Sequence, residues 1–357
     1  VIRQHKDNIP FRTCRSYGPN FYRTFDGVEF NFPGRCTYTM FQDGVRSLRV
    51  SMEGCHKYDT CRKTLVIVVN QHETIEASRD TIRINGRLVE VTPSTGYASR
   101  HGVRIEDRGD RFYLEYGPMR VKWDRGDTWS LTLEEPPKEQ DSTQYQGMCG
   151  NFDRDPLNDL RQRNGQMANN PSSFGNSWSV PSSIDKCPDA PNKAFECKDR
   201  QTAREAREAC SYLHGEKLAS CFSVVQVDYY YARCVSDYCG AHNYHDRLYG
   251  AKDDDQLEDE LDAILCASIE AYTMECADSG LVMEWRTAEL CPKTCPYNME
   301  FTACASKCIR TCANLYSLPS IDCETDCYPG CRCPVGTFLH NNTCFQGEVC
   351  PCLWQKQ

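Results

Sequence analysis

The chain lacks several things that would assign it to a familiar class. It has no stretch of about 18 apolar residues, so no segment reads as a membrane-spanning helix. It has no basic excess: the formal charge is −9 and the pI near 5.5. That argues against nucleic-acid binding, which needs a basic face. The eight histidines sit in no nucleophile–base pattern such as G-x-S-x-G or H-E-x-x-H, so an enzyme is not expected. There is no C-x-x-C anywhere, which removes both the usual zinc knuckle and the thioredoxin-type redox motif. No signal-peptide pattern opens the chain, and Val1 reads as the start of an excised or processed piece.

What is abundant is cysteine, 25 in 357 residues. Without metal-knuckle spacing, such density means disulfides and an oxidising, extracellular compartment. The cysteines fall into zones. Six lie in residues 1–190, eight in 191–291 and ten in 295–350, so each zone has an even set to pair internally. Cys352 is left over as a possible unpaired thiol, and reads as the first cysteine of a following module.

The first zone reads as β. Strand-length apolar or alternating runs occur at 28–32, 65–69, 81–84, 112–116, 121–123 and 129–133. Asn85-Gly86 is a two-residue hairpin signal, because both positions of a type I′ turn need positive φ. Many short strands with regular turns imply an antiparallel sandwich. The long cysteine-free stretch 62–148 gives this zone a true apolar core. Residues 169–183 read as a polar connector anchored by Phe174 and Trp178. Helical spacing then appears at 205–213, at 224–238, and after Asp253-Asp254-Asp255, where acids favour a helix N-terminus. The third zone, rich in Gly, Pro and Cys, has little apolar periodicity and is expected to be a small disulfide knot.

Four smaller features carry chemistry. The stretch 147–160 gathers oxygen side chains at Asn151, Asp153, Asp155, Asn158 and Asp159. A hard cation such as calcium takes six to eight oxygens, but Asn, Asp and Pro build turns without any metal. Composition fits both readings equally. An EF-hand is excluded, because Pro156 and Gln162 stand where that loop needs Gly and Glu. Arg108-Gly109-Asp110 and Arg125-Gly126-Asp127 each lie between expected strands; the tripeptide suits integrin adhesion and also ordinary hairpin-turn chemistry, which is favoured. Asn341-Asn342-Thr343 is a glycosylation acceptor at Asn341.

Order and motifs together resemble a known family. Cys14-Arg15-Ser16-Tyr17-Gly18, Tyr22-Arg23-Thr24-Phe25-Asp26-Gly27, Gly34-Arg35-Cys36-Thr37-Tyr38 and Gly147-Met148-Cys149-Gly150-Asn151-Phe152-Asp153 resemble a von Willebrand factor type D domain. Phe174-Gly175-Asn176-Ser177-Trp178 is similar to its closing motif. Tyr231 to Cys239 and Trp285 to Cys291 resemble the eight-cysteine module, and Cys295 to Cys350 a trypsin-inhibitor-like module. The whole is similar to one D assembly of von Willebrand factor, gel-forming mucins and hemocytin- or hemolectin-type clotting proteins.

The resemblance implies a multidomain, disulfide-rich fold. Residues 1–190 would form an antiparallel β-sandwich with calcium, 191–292 a small helical disulfide-linked module, 293–351 a small cysteine-knotted β module, and 352–357 a tail or the start of another module. It implies a structural calcium ion held by Asp26, Asn151, Asp153, Asp155, Asn158 and Asp159, with Asp155 through its carbonyl. It also implies the bridges Cys14–Cys149, Cys36–Cys187 and Cys55–Cys61. The function implied is a non-enzymatic structural and interaction unit of a large secreted glycoprotein of mucus, clotting or adhesive matrix. Its partners would be other modules and other copies of the parent chain, or a cell-surface receptor. Inhibition of a protease by the third module is the alternative. The chain departs from the family pattern at Gln146, where many members have cysteine, and residues 40–47 lack the partner cysteine, so one bridge is lost whole. Ala241 likewise stands where dimerising members carry a cysteine, so covalent dimerisation by that route is not expected.

Overall fold

The computed structural model describes residues 2–3, 11–18, 20–53, 62–70, 72–79, 81–109, 111–124, 128–134, 144–181, 188–190, 196–248, 254–306, 308–316 and 327–351. Its order follows the zones of the sequence. After β1 (Ile2–Arg3), the first module has strands β2 (Phe11–Tyr17), β3 (Phe21–Arg23), β4 (Glu29–Asn31), β5 (Thr37–Gln42), β6 (Ser47–Glu53), β7 (Arg62–Val68) and β8 (Thr74–Ala77). It continues with β9 (Ile82–Ile84), β10 (Arg87–Val89), β11 (Tyr97–Ala98), β12 (Arg104–Asp107), β13 (Phe112–Tyr116), β14 (Met119–Trp123) and β15 (Trp129–Glu134), then helix α1 (Pro171–Ser177).

These strands form a six-stranded sheet, β10-β9-β8-β7-β6-β5, and an eight-stranded one, β11-β12-β13-β14-β15-β2-β3-β4. All pairings are antiparallel. Leu48, Val50, Leu65 and Ile67 from one sheet share a core with Val121, Trp129 and Leu131 from the other. Alternation produces this: in β12 and β14 every second residue is buried. Asn85 and Gly86 have φ of 52° and 77° and join β9 to β10, the hairpin that their sequence specified.

The stretch read as a connector contains a helix. Asn170 caps α1, its Oδ1 accepting from the Ser173 N–H at 2.8 Å, and Pro171 opens the first turn. Seven residues are too few for a helical period to stand out, so only the anchors were legible: Phe174 and Trp178 are buried in the sandwich core.

The second module holds α2 (Arg200–Cys210), α3 (Val227–Leu248) and α4 (Asp254–Asp278). The third helix runs ten residues past its expected end at 238, and α2 starts at 200 rather than 205, where Asp199 caps it through the Thr202 N–H. Its eight cysteines pair among themselves: Cys197–Cys239, Cys210–Cys234, Cys221–Cys276 and Cys266–Cys291. After β16 (Leu281–Val282), which pairs with β1, the third module contains β17 (Glu300–Ser306), β18 (Cys327–Arg332), β19 (Thr337–His340) and β20 (Thr343–Gln346). Bridges Cys295–Cys331, Cys312–Cys350 and Cys333–Cys344 cross it.

The modules touch through polar clasps. The Ser94 N–H donates to Asn342 Oδ1 at 3.0 Å, and the Asn342 N–H to Ser94 Oγ at 2.6 Å. Glu270 of α4 takes Arg111 of the first module, and Arg286 and Lys293 from the run into the third. Among the described residues no helix is long and apolar enough to cross a membrane.

Candidate metal centre

The loop after β15 is fastened to the start of the sandwich before any cation is considered. Cys149 is bridged to Cys14 of β2, as the resemblance implied. Its N–H donates to the Met40 carbonyl at 2.8 Å, and its carbonyl accepts from the Phe25 N–H at 3.0 Å. Phe152, at φ 57°, turns its ring inward to stack on Phe25 at 4.6 Å. Gln146 pairs with Gln42 through both backbones and through their side-chain amides at 3.2 Å. A hydrogen-bonded glutamine pair therefore joins Gln146, where many family members have cysteine, to the 40–47 stretch where its partner cysteine is expected.

This fastening brings Asp26 against the loop. Its side chain is fully buried, and Oδ2 accepts from the Asp153 N–H at 3.0 Å. Asp159 is also buried, its Oδ2 accepting from the Thr24 hydroxyl at 2.5 Å. The amides of Asn151 and Asn158 both donate to Asp153 Oδ2, at 2.7 and 2.8 Å. Each asparagine thus spends its N–H side on Asp153 and keeps its oxygen elsewhere.

Four buried oxygens are then left with no protein donor: Asp26 Oδ1, Asn151 Oδ1, Asn158 Oδ1 and Asp159 Oδ1. Each belongs to a residue in the predicted ligand set. Buried acceptors without donors are costly, because they have lost water and gained nothing. The charges point the same way. Burial pushes the Asp159 carboxyl up to about 7; the Thr24 hydroxyl opposes this, and the neighbouring Asp26 and Asp153 add to it. Burial also raises Asp26, despite N–H donors from Arg154 and Asp153 and the Arg12 guanidinium 4.0 Å away. A divalent cation would supply both the missing partner and the missing charge. Among the described residues no three His, Cys, Asp or Glu side chains form a ready metal cluster; half of this oxygen set is amide.

The other two predicted ligands have different work here. Asp153 frames the loop, taking both asparagine amides on Oδ2 and the Asp155 N–H on Oδ1 at 2.9 Å. Asp155 is exposed and caps the short turn Pro156–Asn158 through the Leu157 N–H, while its carbonyl accepts from the Asn158 N–H. Sequence reasoning missed Thr24, which had no signal beyond its place in the Tyr22-to-Gly27 motif. It also missed Gly150. At φ +82°, a Cβ on Gly150 would sit 2.1 Å from Asp159 Oδ1, so glycine keeps the pocket open.

The remaining candidate residues are placed as follows. Arg108 donates to Glu106 at 2.7 and 3.1 Å and lies 4.3 Å over the Tyr113 ring. The Gly109 N–H donates to Asp107, and Gly109 packs against Cys331 and Pro296 of the third module. Arg108 and Gly109 are thus engaged within the molecule. Asp110 and the whole second tripeptide, Arg125-Gly126-Asp127, lie outside the described residues. So do Cys55, Cys61, Cys187 and Cys352; Cys36 is disulfide-bonded. Asn341 is exposed at the turn between β19 and β20, with φ 45°.

Comparison with known proteins follows the three modules. The von Willebrand factor type D domain family matches residues 14–166, the C8 domain residues 209–292, and the Trypsin Inhibitor like cysteine rich domain residues 295–350. SCO-spondin of Gallus gallus is 32% identical over 352 residues, covering 96% of this chain and 6% of that protein. Mucin-5B of Gallus gallus is 31% identical over 360 residues, covering 96% of this chain and 16% of that protein. Mucin-5B of Homo sapiens is 31% identical over 341 residues, covering 89% and 5%. The chain therefore spans only a small part of the length of these relatives.

Proposed function

Because this chain is built, in order, of a von Willebrand factor type D domain, a C8 domain and a trypsin-inhibitor-like domain, we propose that it is a calcium-stapled, non-enzymatic structural unit of a larger extracellular glycoprotein. Its neighbours would be further modules and further copies of the same parent. The bonded cysteines of all three modules require an oxidising compartment. The observation that carries the calcium reading is the set of four buried oxygens without donors, drawn from residue 26 and from 151–159.

Asp26, Asn151, Asn158 and Asp159 would hold the ion, with Asp153 fixing the two amides that present their oxygens. A bound divalent cation supplies positive charge to buried carboxylates. What the protein gains is rigidity: residues separated by more than a hundred positions meet only in the native state, so binding energy becomes folding energy. The three-module assembly then acts as a stiff element with defined faces for its neighbours.

The test is thermal unfolding of the full chain against calcium concentration, alongside the double variant Asp26→Asn, Asp159→Asn. At a calcium level about a hundredfold above Kd, binding adds roughly 2.7 kcal/mol to native stability. The parent should gain stability with calcium, and the double variant should not. A parent whose unfolding ignores calcium, chelator included, would refute the reading.

A further inference from the structure

Two asparagines of the chain precede a glycine, Asn85 and Asn164. That dipeptide is chemically labile, because the glycine nitrogen has no neighbouring side chain to hinder its attack on the asparagine carboxamide. The fold treats the two differently. Asn85 is held at both ends of its carboxamide: Oδ1 accepts from the Thr74 N–H at 2.9 Å, and Nδ2 donates to the His72 carbonyl at 2.8 Å. Its own N–H donates to the Thr74 carbonyl at 2.9 Å. Asn164 is exposed at the tip of a small hairpin, residues 161–167. The hairpin is closed by the Arg161–Met167 bridge and by the Gln162 N–H donating to the Gln166 carbonyl at 2.8 Å. Among the described residues the Asn164 carboxamide has one partner, the Gln166 N–H, which donates to Oδ1 at 2.9 Å. Gly165, at φ +85°, has open space where a Cβ would stand. This hairpin grips the end of α1. The Arg163 N–H donates to Ser177 Oγ and Arg163 Nη2 to the Trp178 carbonyl, both at 3.2 Å. Trp178 Nε1 donates back to the Arg161 carbonyl at 3.2 Å, and the Arg163 guanidinium lies 5.4 Å over the Trp178 ring.

We infer that Asn164 is a site of spontaneous deamidation, and that its conversion releases the hairpin's grip on α1. The Gly165 nitrogen gives up its proton and bonds to Asn164 Cγ. The Cγ–Nδ2 bond breaks, ammonia leaves carrying that proton, and a succinimide ring remains. Water then opens the ring at either carbonyl, leaving aspartate or isoaspartate; no oxidant or reductant is consumed. The Gln166 N–H already on Oδ1 is placed to stabilise the negative charge that this oxygen gains during attack. One bond opposes the step, from the Gly165 N–H to the Gln162 carbonyl at 2.9 Å. At an exposed tip such a bond opens locally at little cost. At Asn85 two carboxamide bonds must break first, so the folded chain should convert there at least about tenfold more slowly. Isoaspartate routes the main chain through the side-chain carbon and adds a methylene between residues 164 and 165. The Gln162–Gln166 pairing then loses its register, and Arg163 its position against Trp178.

The test is peptide mapping by mass spectrometry of the full chain, aged at mildly alkaline pH and fixed calcium in water enriched in heavy oxygen. The label marks conversion during ageing and excludes conversion during digestion. Labelled aspartate and isoaspartate should accumulate at position 164, with position 85 trailing at least about tenfold. Ageing in denaturant should largely close that gap, since the fold sets it. Hydrogen exchange then reads the release. The aged parent should lose protection at Arg163 and in α1, whereas Asn164→Gln, whose longer side chain cyclises far more slowly, should keep it after the same treatment. A folded chain that keeps Asn164 intact, or converts Asn85 equally fast, overturns the site. Conversion with protection unchanged overturns the release.

Discussion

Removing the Glu270 charge should loosen the junction of all three modules. Glu270 Oε1 accepts from Arg111 Nη2 and Lys293 Nζ, both at 3.2 Å, and Oε2 from Arg286 Nη2 at 2.7 Å. Burial by itself would raise this carboxyl; Lys293, Arg111 and Arg286 overrule it and hold it down at about 2, against an ordinary 4.5. A difference of roughly two and a half units corresponds to about 3 kcal/mol of native-state preference for the charged form. That agrees with the ~3–5 kcal/mol lost when one partner of a buried ion pair is removed. Glu270→Gln keeps the shape and removes the charge, so it should cost about 3 kcal/mol at pH 7. Arg111 is nearly buried, with 3% of its side chain exposed, and cannot simply turn to water. Because the folded carboxyl is depressed, its contribution is present above pH 4.5 and fades as pH falls toward 2. Chemical unfolding of both proteins from pH 7 to pH 2 should show the gap closing. A variant within about 0.5 kcal/mol of the parent at pH 7, or a gap that ignores pH, would show that the three cations are satisfied without this carboxylate.

Other outcomes follow from single contacts. Gly150→Ala places a Cβ 2.1 Å from Asp159 Oδ1 at φ +82°; a loss of about 1–3 kcal/mol is expected, along with a weaker response to calcium, both measurable by thermal unfolding. Replacing Cys14 and Cys149 together by alanine opens a loop of 135 residues. Loop entropy puts the cost at up to about 5 kcal/mol, so the variant should unfold at markedly lower denaturant. Asn85→Ala removes a side chain that ties Thr74 to the His72 carbonyl at 2.9 and 2.8 Å, and does so at φ 52°. About 1–2 kcal/mol should be lost, with exchange protection falling first in β8 to β10.

Much of the fold is written locally. Alternation marked β13 at its observed ends, and Asn85-Gly86 fixed the β9–β10 register, because side-chain period and turn chemistry are properties of adjacent residues. Cysteine density separated the modules, since a chain short of core needs bridges. Edge strands such as β10 and β11, two or three residues long, carried no periodic signal. The α1 helix was hidden for the same reason. Of the proposed cation site, the sequence supplied the residue types and, through resemblance, the list. Only three dimensions sorted that list into oxygens without donors at 26, 151, 158 and 159, and framing groups at 153 and 155. The junction of the modules was wholly illegible, because Arg111 and Glu270 stand 159 positions apart and a carboxylate's acidity depends on what surrounds it. Composition and spacing thus determined which elements form and that sulfur would join them. Burial and long-range pairing decided which charges lose their water, and that loss sets the chemistry of both sites.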